Sequence, residues 1–141
     1  MNRRSSVLTL ILLLAGLATT GCEFKASTAN ISEAKMAKGI DDKKQPVDPT
    51  TTFSTADKSI YAFVNLANAP AGTLVRAKWK SPDGGEKVTD VQAGGDMNEV
   101  NFSLTTPNGL PPGAYKCEIY LDPSKSDSTE KPEQTLDFTV Q

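Results

Sequence analysis

Apolar and polar residues alternate with a period of two along most of the chain from residue 53 to the C-terminus. Six segments carry this pattern: residues 59–66, 73–80, 86–91, 100–105, 115–121 and 136–140. Alternation of this kind puts one set of side chains on each face of a β-strand, so it predicts six half-buried strands. A seventh strand is available near Ile31 or Phe53.

Turn-forming sequences separate these segments. Residues 68–72, 81–85 and 94–96 are rich in Gly, Pro, Asn and Asp, and residues 106–113 contain three prolines and two glycines. A helix cannot pass through such a loop, and parallel strands would need crossover helices, for which there is no pattern. The sequence therefore predicts an all-β domain over residues 53–141, a two-sheet antiparallel sandwich of about seven strands.

The same alternation assigns side chains to faces. Trp79 ends the apolar set of the second segment, which makes it an inward residue of the core rather than an exposed platform. Val88 is the expected inward residue of the short third segment. Tyr61, Phe63 and Tyr120 occupy outward positions, where their rings would be open to contact.

Residues 22–52 have a different composition. They are rich in Lys, Asp, Ser, Thr and Ala, and they end with two prolines and three threonines. Such a sequence favours a flexible polar tether of about 30 residues. Within it, residues 30–40 leave two alternatives open, a short helix that ends before Gly39 or a first edge strand that includes Ile31 and Met36. Ten residues make a marginal helix without packing, which favours the strand.

The first 21 residues have the features of an export signal. Arg3 and Arg4 give a positive start, residues 7–17 form an uncharged and almost wholly apolar run, and small residues follow up to Gly21. Eleven residues rise only about 16 Å as a helix, whereas a bilayer core of about 30 Å requires roughly 20 residues. We therefore expect residues 1–21 to be a cleaved signal peptide rather than a membrane span.

Residues 17–22 read Leu-Ala-Thr-Thr-Gly-Cys, and this stretch resembles the lipobox of bacterial lipoproteins. The resemblance implies that the thiol of Cys22 receives a diacylglyceryl group and that cleavage just before it makes Cys22 the lipidated N-terminus. Thr19 differs from the leucine that members of this family usually carry three residues before the cysteine. The implied product is a lipoprotein of the bacterial cell envelope, anchored on the outer side of the cytoplasmic membrane or in the outer membrane.

Composition narrows what the domain could do. The 141 residues contain no histidine, so the usual general base and the commonest zinc ligand are missing. Removing residues 1–21 also removes Arg3 and Arg4, which leaves 13 basic against 17 acidic side chains and a formal charge of about −4. This balance argues against nucleic-acid binding, because affinity for phosphates comes from basic residues. We expect no enzymatic activity, no cofactor and no metal site.

Residues 113–117 read Gly-Ala-Tyr-Lys-Cys, and together with the inward Trp79 they resemble the immunoglobulin-like superfamily over residues 53–141. In that family a tyrosine two residues before a cysteine forms the tyrosine corner, which implies this role for Tyr115. Antibody-type domains carry a second cysteine on their second strand, where this chain has none, so an inter-sheet disulfide is excluded. Cys117 is then either a small buried residue of the inner face or a reactive thiol.

An anchor, a tether and a β-domain together indicate a lipid-anchored module that binds another envelope protein or polymer without catalysis. The candidate contact residues lie on outward strand positions or in an end loop: Tyr61, Phe63, Tyr120, Pro107, Asn108 and Pro111. A second hypothesis is an inhibitor or regulator of an envelope enzyme that acts through the proline-rich loop 106–113. A rigid loop loses little entropy when it docks, which is the physical basis of that hypothesis.

Overall fold

The computed structural model describes residues 28–123 and 130–141, and β-strands account for most of them. These are β1 (Asn30–Ile40), β2 (Pro46–Pro49), β3 (Thr52–Phe53), β4 (Ser59–Ala67), β5 (Thr73–Lys80), β6 (Glu86–Ala93), β7 (Glu99–Thr105), β8 (Gly113–Leu121) and β9 (Gln134–Val140). Within the two described ranges, no helix is long and apolar enough to cross a membrane. The predicted all-β class is confirmed.

The strands form two sheets with a shared core between them. The first sheet has the order β2-β1-β4-β7 and the second the order β3-β9-β8-β5-β6. β3 and β9 pair in parallel, and the other neighbours are antiparallel. The predicted sandwich is confirmed, with nine strands among the described residues in place of about seven.

The hydrophobic core is built by alternate residues of the long strands. Its buried members include Ile60, Ala62, Val64, Leu66, Val75, Ala77, Trp79, Val100, Phe102, Leu104, Tyr115, Cys117, Ile119, Phe138 and Val140. Each of them has the parity that the period-two pattern predicts, because the opposite sheet covers one face of each strand that supplies them.

β1 is part of the sandwich rather than of a tether. It pairs with β4, and the register Met36↔Ala62 turns the Met36 side chain into the core, where it is 2 % exposed. β2 and β3 continue the sheets to residue 53. The expected tether is therefore wrong from residue 30 onwards, and residues 30–40 adopt the strand alternative. β2 pairs with β1 only from Ala37 to Ile40, so over residues 30–36 β1 pairs with β4 alone and forms the edge of the sheet, as the strand alternative predicts.

β6 lies at the edge of the second sheet, and its inward residues differ from the expected one. Val88 is 49 % exposed because its register partner is Lys78, an outward residue of β5. Val91, which pairs with Val75, packs against the core instead. The prediction for Val88 was wrong because this strand carries valines of both parities.

The strand directions give the sandwich two ends. One is the N-terminal end, formed by Thr28, the loops 68–72 and 94–98, and the described part of the connection from β8 to β9, which starts at Asp122. The other is the proline-loop end, formed by the loops 54–58, 81–85 and 106–112. Thr28 Oγ1 donates a hydrogen bond to the Asn68 carbonyl at 2.9 Å, which fixes the chain at the first of these ends. The two ends are roughly 30 Å apart, since β4 runs between them and rises about 3.3 Å per residue.

The core is filled differently at the two ends. Beneath the proline-loop end, the Phe138 ring stacks on Tyr115 with centroids 5.3 Å apart and meets Phe53 and Trp79 edge-on at 5.6 Å and 6.1 Å. Such aromatic pairs contribute about 0.5–1.5 kcal/mol each beyond the area they bury. Beneath the N-terminal end the buried side chains are smaller, as at Ala93.

Candidate functional site

The six candidate contact residues do not form one surface. Three of them are exposed together in the loop that joins β7 to β8 at the proline-loop end: Pro107, Asn108 and Pro111. Tyr61 lies half-buried on the outer face of the first sheet, and its register partners are Ala37 and Ser103. Phe63 and Tyr120 are buried.

Phe63 faces outward as predicted, but it is 1 % exposed and cannot contact a partner. The turn between β1 and β2 covers it, since Asn101 Nδ2 donates to the Lys44 carbonyl at 3.2 Å and Gln45 Nε2 donates to Glu99 Oε1 at 2.6 Å. Asn101 is the register partner of Phe63 on β7. A turn that reaches Asn101 from β1 therefore crosses β4 above the Phe63 ring, and the expected contact role of Phe63 is wrong.

Tyr120 also faces outward and is 8 % exposed. Its hydroxyl donates to Glu118 Oε2 at 2.7 Å, and Lys78 Nζ lies 5.4 Å from the centroid of its ring. Burial, followed by the hydrogen bond to Glu118, raises the pKa of Tyr120 to about 12. The ring and the hydroxyl are both engaged within the protein, so Tyr120 is not the open contact residue that the alternation predicted.

The outer face of the second sheet is a network of opposite charges. The Arg76 guanidinium donates to both carboxylate oxygens of Asp90, at 2.7 Å and 2.9 Å, and Lys80 Nζ lies 3.0 Å from Glu118 Oε1. The hydrogen bonds from Arg76 lower the pKa of Asp90. Cations of β5 are thus neutralised by carboxylates of β6 and β8, and this face offers little net charge to a polyanion.

The proline loop is braced from behind. The Tyr115 hydroxyl donates to the Pro111 carbonyl at 2.7 Å, which is the hydrogen bond of a tyrosine corner. Burial raises the pKa of Tyr115, so the hydroxyl keeps its proton. Gly109 has φ 75°, and a Cβ on it would lie 1.9 Å from the Thr55 carbonyl oxygen. Loop 106–112 is therefore held against loop 54–58 and presents its exposed residues in a fixed arrangement.

The third loop at this end is fixed by a carboxylate. Asp83 accepts a hydrogen bond from the Ser81 hydroxyl and a second one from the Gly85 backbone N–H, whose nitrogen lies 3.0 Å away. These bonds, that of Ser81 first, lower the pKa of Asp83. Aspartate that caps its own turn in this way gives loop 81–85 a defined shape.

A small groove lies between loops 81–85 and 106–112. It has a volume of about 230 Å³, and its apolar wall is formed by Trp79, Leu104, Leu110 and Tyr115. The indole nitrogen of Trp79 is buried without a hydrogen-bond partner among the described residues. The alternation predicted Trp79 as a core residue, and it is one, but the groove depends on Leu110, a loop residue whose position no periodicity could indicate.

Only one of the two cysteines, Cys117, lies within the described residues. Cys117 is a free thiol at 0 % exposure, and burial raises its pKa to about 12. A thiol in that state is protonated at neutral pH and is a poor nucleophile. Cys22, the expected lipidation site, lies outside the described residues.

Metal-ligating side chains and similar proteins are the two remaining sources of information about function. In the part of the chain that the structure describes, no group of three or more histidine, cysteine or acidic side chains is arranged to hold a metal ion. No protein-family model matches the chain, and no curated protein matches it either. The chain therefore has no matching family from which a function could be inferred. The two ends of the sandwich differ in geometry, and this difference separates one candidate binding surface from another.

Proposed function

We propose that this chain is a lipid-anchored module of the bacterial cell envelope that binds another envelope protein or polymer through its proline-loop end and catalyses no reaction. The anchor is the lipid on Cys22, on the outer side of the cytoplasmic membrane or in the outer membrane. The proposal is supported by the lipobox-like residues 17–22 and by a sequence without histidine.

The observation that carries the proposal is the position of Thr28, the first residue that the structure describes, relative to the exposed loops. Thr28 is bonded to the loop at Asn68, whereas Pro107 and Asn108 lie at the opposite end, roughly 30 Å away at about 3.3 Å per residue of β4. An anchor that holds Thr28 near a membrane leaves the proline-loop end facing away from it. A partner in the periplasm or on the cell surface would meet that end first.

The proline-loop end has features suited to protein contact. The loop is braced by Tyr115, so it loses little conformational freedom on binding. The neighbouring groove has the size of a single large side chain, and its wall is mainly apolar. An apolar residue of the partner would fill this groove.

Site-specific photo-crosslinking tests the contact in intact cells. A photoreactive phenylalanine analogue at Asn108 should give a defined adduct that mass spectrometry identifies. The matched control carries the same analogue at Ser103, which is exposed on the outer face of the first sheet. Equal adducts from both positions, or none from Asn108, would contradict binding through the proline-loop end.

The anchor has its own test. Intact mass spectrometry of the mature protein should show a diacylglyceryl group on Cys22, and Cys22→Ser should release the protein from the membrane fraction. If Cys22→Ser leaves the protein membrane-bound, the lipid is not its anchor.

A second candidate function is inhibition or regulation of an envelope enzyme through loop 106–113. The bracing of Pro111 by Tyr115 favours it, because inhibitors that insert a loop into an active site rely on a preformed loop conformation. Purified protein should then inhibit an envelope protease, and Tyr115→Phe should weaken the inhibition. Full protease activity in the presence of excess protein would exclude this function for the proteases tested.

A further inference from the structure

The two loops of the N-terminal end are locked into one rigid tip. Gly95 N donates to the Ala69 carbonyl at 2.9 Å, which joins loop 94–98 to loop 68–72. Gly94 has φ 91°, and a Cβ on it would lie 1.9 Å from the Pro70 carbonyl oxygen. The backbones of the two loops are thus in direct contact, and we name residues 68–72 and 94–98 together the N-terminal tip.

The exposed chemistry of the N-terminal tip is unusual for this acidic protein. Among its ten residues Asp96 is the only one with a charged side chain. Pro70 and Ala71 are exposed, and Met97 is 47 % exposed, a large fraction for such a side chain. A small apolar tip with one charge meets little repulsion from anionic headgroups and gains from leaving water.

The length of chain before the tip limits how far it can stand from an anchor. Five residues separate Cys22 from Thr28, and six fully extended chain steps cover at most about 22 Å. Thr28 is bonded to Asn68 of the N-terminal tip. A lipid on Cys22 would therefore keep the N-terminal tip within that distance of the bilayer surface, which is less than the length of the sandwich.

We infer that the N-terminal tip rests on the surface of the bilayer that holds the lipid, with Met97, Pro70 and Ala71 in the headgroup region. This inference rests on the proposed lipid anchor at Cys22. The short connection gives the tip a high effective concentration at the membrane, so weak apolar contacts are enough to hold it there. The sandwich then stands upright, with the proline-loop end farthest from the lipid.

Fluorescence quenching by nitroxide-labelled lipids tests this orientation. Full-length lipidated Met97→Cys is labelled with an environment-sensitive dye and reconstituted into vesicles of phosphatidylethanolamine and phosphatidylglycerol that contain the nitroxide lipid. Asn108→Cys is the matched control at the proline-loop end, and Ala71→Cys is a second position in the N-terminal tip. Cys117 does not compete for the label, because it is buried and its pKa is raised to about 12.

Quenching at position 97 and at position 71 should be several-fold stronger than at position 108, with emission shifted to shorter wavelength. If the protein floats with the vesicles but the labels at 97 and 108 are quenched equally, the tip does not rest on the bilayer, while the anchor of the proposed function stands. If the protein does not float with the vesicles, the anchor fails, and the inference fails with it.

Discussion

At each end of the sandwich a glycine with positive φ brings two loops into backbone contact, Gly94 against Pro70 at the N-terminal end and Gly109 against Thr55 at the proline-loop end. Each end also has a hydroxyl that donates to a proline carbonyl at 2.7 Å, from Thr73 to Pro70 and from Tyr115 to Pro111. What differs is the core beneath each end, which is aromatic at the proline-loop end and aliphatic at the N-terminal end, where Leu66, Val75 and Ala93 are buried. The same kinds of backbone contact therefore close the two ends, although the core beneath each end is packed differently.

The largest expected effect comes from emptying the aromatic end. Phe138→Ala removes a ring that is 3 % exposed and contacts three other aromatic rings, so it should lower the free energy of unfolding by about 3–5 kcal/mol. Ala93→Gly is the counterpart beneath the N-terminal end, and it removes a single methyl group. Urea denaturation followed by tryptophan fluorescence measures both. A loss for Phe138→Ala no greater than that of Ala93→Gly would show that the packing of the ends is equivalent.

Next in size are the two glycines at which the loops meet. Gly94→Ala and Gly109→Ala each place a Cβ on a facing carbonyl, and each should cost on the order of 1–3 kcal/mol or more. Gly72→Ala is the matched control, since Gly72 also has positive φ but a Cβ there meets open space. Chemical denaturation of the three variants would contradict the interpretation if Gly72→Ala were as costly as the other two.

A smaller difference is expected between the two hydroxyls. Tyr115→Phe removes the donor to the Pro111 carbonyl and should cost about 1 kcal/mol, a typical value for one hydrogen bond. Thr73→Val should cost less, because the Pro70 carbonyl keeps the Thr73 backbone N–H as a donor at 3.1 Å. Amide hydrogen exchange should speed up in loop 106–112 of Tyr115→Phe. Equal exchange in wild type and variant would mean that the tyrosine does not brace the loop.

Acid should loosen the proline-loop end by the smallest amount. Asp83 has its pKa lowered from the ordinary 3.8, chiefly by the Ser81 hydroxyl, so its bonds stabilise the folded loop above that pH and are lost as the pH falls through the folded-state pKa. A carboxyl titration by NMR should show this low pKa, and Ser81→Ala should move it upward. If the pKa of Asp83 is unchanged in Ser81→Ala, groups other than the Ser81 hydroxyl lower it.

The alternation predicted the long strands because each has one face against the opposite sheet and one face toward water. The alternation was less informative where the burial of a residue depends on a segment that is far away in the sequence. Phe63 has the pattern of an exposed residue, yet the turn that covers it comes from residues 41–45, a segment with the composition of a solvated loop. Residues 30–40 leave both a helix and an edge strand open within the expected tether, because Lys35 and other polar side chains dilute the few apolar residues that β1 turns inward.

The sequence could indicate only one part of the candidate site, the loop 106–112. Pro107, Asn108 and Pro111 were expected to be exposed from their composition alone, and they are. The sequence could not show that Tyr120 contacts other side chains, since the geometry of two adjacent strands places Glu118 and Lys78 next to it. The groove beside Trp79 was equally hidden, because loop residues reach it from separate parts of the chain.

The pairing of β1 with β4 has a mechanical consequence. A membrane anchor would pull on the chain at Asn30, and a partner at the proline-loop end would pull in the opposite direction, along the strands. The β1–β4 hydrogen bonds, which extend from Asn30 to Ala37, lie across that axis. Tension would therefore load them together in shear rather than open them one by one like a zipper, and the first strand would act as the tension-bearing link between membrane and partner.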